Sequence, residues 1–152
     1  MTSSRPRVVV IGLDSMPPSL AFELYADAMP CLSRMRQEGA FGALRSTDPP
    51  VTVPAWVTMT SGLLPERLGI YGFRNRRAGS YAMELASARS VAAPRLWDLA
   101  SAAGLRSVVV SVPLTYPAAS RRGLSMTTCF LTPGPESAWA SPPELRAELE
   151  AR

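Results

Sequence analysis

The sequence predicts an α/β fold, a mostly parallel sheet with helices on both faces. Three observations carry this. Residues 7–13 read Arg-Val-Val-Val-Ile-Gly-Leu, a continuous β-branched run of the kind that fills a central strand covered on both sides. Residues 107–112, Ser-Val-Val-Val-Ser-Val, form a second such run. That second run follows a helical pattern closed by Gly104, and helix, glycine, strand is the repeating unit of α/β folds, with a right-handed crossover.

Taken in order, residues 7–13 are expected as the first strand, and Asp14 falls at its carboxyl end, where open α/β sheets bind ligands. An acid there serves either as a metal ligand or as the cap of the next turn. Residues 15–28 open with a Pro-Pro turn and continue as a loosely helical segment. Residues 29–39 form a better helix: Pro30 suits its start, Leu32 and Met35 share a face, and Gly39 suits its end. Residues 40–45 alternate weakly and are expected as a second strand. Pro49 and Pro50 then hold the approach to Thr52 extended, and Pro54 suits the first turn of a helix running to Gly62.

With a helix start near Pro54, Thr52 stands just before the positive end of the dipole, a place that welcomes a phosphoryl group. Its hydroxyl is there either as a nucleophile or as a helix cap. Residues 63–73 read as an ordered loop, and residues 74–93 as a loop without periodicity. Residues 94–103 are expected as an amphipathic helix, 105–112 as a strand and 126–131 as a short strand. Residues 132–143 read as an exposed, proline-rich connector, and Pro142-Pro143-Glu144 opens a last helix.

Composition narrows the chemistry. With 152 residues and 47% hydrophobic content, one domain or part of one is expected. There is no apolar run of membrane-spanning length, and Asp14 interrupts the first apolar run before it could serve as a secretory signal. A cytoplasmic location is the resulting expectation. Cys31 and Cys129 are expected to be buried free thiols. All 16 basic residues are arginine, and the net charge of +4 is spread along the chain, so neither a nucleic-acid nor a membrane partner is expected. The chain has no histidine. A Ser-His-Asp triad, a Cys-His pair and a histidine-based metal site therefore cannot be completed within it.

The ordered set Val8-Val-Val-Ile-Gly-Leu-Asp14, Thr47-Asp-Pro-Pro-Val-Thr52-Val-Pro54-Ala-Trp56, Thr60-Ser-Gly62 and Pro65-Glu-Arg-Leu-Gly69-Ile70-Tyr71 resembles the alkaline phosphatase superfamily, and within it the type I phosphodiesterase/nucleotide pyrophosphatase branch. The resemblance spans most of the chain. It implies that residues 1–152 are the N-terminal portion of one catalytic domain, with no separate second domain. The implied fold is the alkaline-phosphatase-like α/β fold of three layers, incomplete here.

It implies a metal-dependent hydrolase of small-molecule phosphate esters with two divalent ions, zinc being the usual metal. Asp14 would be a metal ligand, and Thr52 both a metal ligand and the nucleophile. Asn75 would substitute for the phosphate-binding asparagine of some relatives, whose position lies near Phe73. The chain departs from the pattern where Leu68-Gly69-Ile70 replaces His-Gly-Ile. The remaining ligands are expected from a missing C-terminal half or a partner chain, so these residues alone are expected to be inactive. The alternative is a non-catalytic α/β module that binds an anion or a partner.

Overall fold

The computed structural model describes residues 7–151, which fall into two compact units, residues up to Arg45 and residues from Ser46. In the first unit, residues 7–13 take no regular structure, and Val8, at 85%, leads a run of exposed apolar side chains through Ile11. The strand expected at residues 7–13 is therefore not formed, nor is the one expected at 40–45. β-Branched composition favours an extended backbone, but a central strand exists only when neighbours satisfy its N–H and C=O groups. No described strand pairs with either segment.

A π-helical turn covers Leu20–Leu24, and helix α1 covers Pro30–Glu38. Pro30 occupies the first helical turn as expected. Gly39 ends the helix through a close approach: its N–H donates to the Met35 carbonyl at 2.9 Å, and a Cβ there would lie 2.8 Å from that oxygen. Phe22 and Phe41 meet edge to face at 4.8 Å, with the Arg36 guanidinium 4.7 Å from the Phe41 centroid.

The second unit holds most of the regular structure. Helix α2 covers Thr52–Ser61 and α3 covers Pro65–Leu68; strands β1 (Arg74–Arg76) and β2 (Met83–Leu85) form an antiparallel hairpin. A 3₁₀ turn at Ala88–Ser90 leads to α4 (Leu96–Ala102), β3 (Ser107–Pro113), β4 (Leu124–Cys129), β5 (Ala140–Ser141) and α5 (Pro143–Glu150). The sheet order is β3-β4-β5, with β3 parallel to β4 and β5 antiparallel to it. The architecture is mixed α/β with small sheets. The hairpin replaces part of the loop expected at 74–93. Its three-residue strands carry no buried position from which a period could be read.

Two apolar clusters hold this unit together. Val53 and Val57 of α2 pack with Ile70, Ala86 and Leu114. Trp97 of α4 packs with Val109, Leu124 and Met126 of the sheet. Gly123 allows β4 to start close to the strand before it: its φ is +75°, and a Cβ would lie 3.1 Å from the Leu105 carbonyl. Both cysteines are free, but Cys31 is exposed and Cys129 half-buried, which corrects the expectation of buried thiols. Cys31 sits on α1, which has no buried residue, and Cys129 closes the sheet strand β4. No helix among the described residues is long and apolar enough to cross a membrane.

Candidate active site

The turn before α2 is built on one carbonyl. The Thr47 hydroxyl donates to the Pro49 oxygen at 2.9 Å, and the Val51 N–H donates to the same oxygen at 3.0 Å. Val51 is extended, with φ −116° and ψ 147°, and is the N-cap residue. Thr52 is thus the first helical residue, and the helix begins two residues earlier than Pro54 suggested. Pro54 stands third, where its missing N–H still costs nothing, because the Ala55 N–H is already bonded to Val51 at 3.1 Å. In its strict form the cap role for Thr52 does not apply, since the cap position belongs to valine.

The helix carrying Thr52 is anchored firmly. Val53, Pro54, Val57 and Thr60 are buried. The Thr60 hydroxyl turns back to the Trp56 carbonyl at 2.9 Å, and the Ser61 hydroxyl to the Val57 carbonyl at 2.7 Å. Gly62 closes the helix in the left-handed region at φ +72°. Half-buried Thr52 therefore stands at the dipole-positive end of a fixed helix.

Asp14 lies in the first unit, in an exposed turn where Ser15 has φ +57°. Asn75 lies in β1. Its Oδ1 accepts from the Tyr71 N–H at 2.8 Å and its Nδ2 donates to the Gly72 carbonyl at 3.0 Å, so its amide closes the Tyr71–Asn75 turn.

Sequence reasoning passed over Arg95, which is only 6% exposed. Its Nη1 donates to the Leu114 carbonyl at 3.0 Å, and its guanidinium lies 4.6 Å from the Trp97 ring centroid. Burial pushes its pKa below the ordinary arginine range, while nearby Asp98 opposes that shift. Asp98 accepts from the Arg95 backbone N–H at 3.0 Å and pairs with Arg121 at 3.1 Å. Leu114, the residue Arg95 holds, is itself left-handed at φ +60° and packs against α2. No local signal marks an arginine for burial.

No group of three or more His, Cys, Asp or Glu among the described residues could hold a metal ion. Zinc takes four ligands. Asp14 and Thr52, the two candidates from sequence, fall far short of two such sites, so the residues present do not fit the two-metal centre that the resemblance implied.

The profile of the type I phosphodiesterase / nucleotide pyrophosphatase family matches residues 8–149. The chain belongs to this family. No curated protein and no solved structure matches it. Membership in the type I phosphodiesterase family makes it a relative of phosphate-ester hydrolases that are typically metal-dependent.

Proposed function

We propose that this chain carries the nucleophile-bearing part of a phosphate-ester hydrolase, with Thr52 as the residue that accepts the phosphoryl group. The observation that supports this most is Thr52 at the first position of the buried, well-anchored helix α2 in a chain matching the type I phosphodiesterase family from residue 8 to 149. Attack by the Thr52 hydroxyl oxygen would form an oxygen–phosphorus bond and break the bond to the leaving-group oxygen. The N-terminal end of α2 would favour the anionic phosphoryl group. The threonine proton would pass to solvent water, because a chain without histidine offers no neutral imidazole to take it, and the leaving group would depart as its oxyanion.

The same reading assigns Asp14 to metal binding and places the other ligands outside these residues, in further polypeptide or a partner chain. The full three-layer fold belongs to that completed assembly, in which residues 7–13 gain strand neighbours. By itself the chain is expected to show no hydrolysis of bis(p-nitrophenyl) phosphate with added zinc beyond a Thr52→Ala control. Turnover that disappears in Thr52→Ala would mean that these residues already assemble a working site, and the incomplete-site reading would fail. The nucleophile assignment is tested on an active preparation from the native source, quenched during turnover. Tandem mass spectrometry should find phosphate on Thr52, and an adduct on another residue would overturn the assignment.

A further inference from the structure

An open cleft of about 360 Å³ lies between the Leu68–Ile70 turn, the β1–β2 hairpin and the 3₁₀ turn at Ala88–Ser90. Ile70 and Ala86, each 2% exposed, form its floor, and both belong to the apolar cluster that carries Val53 and Val57. Its rim is dominated by hydrogen-bond donors. Arg76 and Arg89 line it, and neither guanidinium has a carboxylate partner among the described residues. Glu84, the one acid in the lining, is tied to Arg77 at 3.3 Å.

Two hydroxyls complete the rim. Ser87 Oγ accepts from the Arg89 N–H at 3.3 Å, and Ser90 Oγ accepts from the Ser87 N–H at 3.1 Å. Each hydroxyl is used as an acceptor, which leaves its O–H to donate outward. These two bonds form a closed capping box, so the turn bearing Ser87, Arg89 and Ser90 is locally fixed.

We propose that this cleft is an oxyanion site that takes a phosphate group, held by the Arg76 and Arg89 guanidiniums and the Ser87 and Ser90 hydroxyls. Two planar forks of N–H donors and two hydroxyls, against the single carboxylate of Glu84, which faces Arg77, match the many acceptor oxygens of a phosphate. The site involves neither Thr52 nor any metal, so it stands or falls apart from the hydrolase reading.

The test is titration of the whole chain with inorganic phosphate at fixed ionic strength, using chloride as the control anion, followed by calorimetry and backbone amide shifts. Saturable one-site binding is expected, with shifts centred on Ser87, Arg89 and Ser90. Arg76→Gln and Arg89→Gln should each weaken it about tenfold. Arg74→Gln, on the same hairpin but outside the cleft, should leave it unchanged. An equal loss in Arg74→Gln would show general charge attraction and overturn the proposal. So would absence of saturation or shifts centred away from residues 87–90.

Discussion

Val57 tests whether the helix bearing Thr52 is held by its buried face. It is 1% exposed and packed among Val53, Ile70, Ala86 and Leu114. Val57→Ala removes two buried methyl-sized groups at about 0.8 kcal/mol each, or roughly 1.6 kcal/mol of transfer free energy. An unrelaxed void of about 40 Å³ adds about 1 kcal/mol. The expected loss is therefore about 2.5 kcal/mol, a large share of the roughly 5–15 kcal/mol typical of a domain. Urea unfolding followed by the fluorescence of Trp56, Trp97 and Trp139, all in the second unit, reads it directly. With a slope of about 1.5 kcal/mol per molar, the midpoint should fall by roughly 1.5 M. Met59→Ala, at an exposed position of the same helix, is the control and should move it little. A loss under about 0.5 kcal/mol in Val57→Ala, no different from Met59→Ala, would refute the packing argument.

Gly62→Ala is expected to cost about 1 kcal/mol in the same unfolding assay. The Cβ would meet nothing within 4 Å, so the whole effect is backbone strain at φ +72°, and Gly62→Asn should recover part of it. Arg95→Ala should cost about 2 kcal/mol, because it strips the Leu114 carbonyl of its donor and exposes the Trp97 face. Arg95→Met, which keeps the apolar stem against Trp97 but still leaves the Leu114 carbonyl without its donor, should cost less than Arg95→Ala in the same measurement. The burial-lowered pKa of Arg95 makes stability rise with pH only in the strongly alkaline window between its folded and unfolded values, where the unfolded chain holds more protons. Between about pH 6 and about pH 9 both states keep the charge, so the difference between wild type and Arg95→Met should stay flat across that range.

Punctuation was the most readable part of the fold. Pro30, Gly39, Pro54 and Gly62 bracket helices close to where the sequence indicated, because their constraints are local backbone properties. The Val-Val-Val run of β3 was equally legible, and it does find a ladder partner in β4. The near-identical run at residues 8–10 finds none and stays irregular. Identical composition thus has two fates, decided by tertiary pairing that no local pattern encodes. The start of α2 was misjudged by two residues because a proline's missing N–H is harmless anywhere in the first helical turn, so Pro54 could not fix which residue is first. At the site, the place of Thr52 on a helix end was visible in the sequence. The burial of Arg95 and the donor-lined cleft around Arg89 were not, because both depend on residues distant in the chain coming together.

The outward side of β3 carries a thermal consequence. Val109 points into the core while Val108 and Val110 are largely exposed, at 77% and 67%. Attraction between such apolar patches on separate molecules weakens on cooling. Preparations should therefore stay more nearly monodisperse on ice and self-associate as they warm, the reverse of what contacts dominated by hydrogen bonds would do. Light scattering during a slow upward ramp, held well below unfolding, should rise for the native chain, and Val108→Thr with Val110→Thr should flatten it.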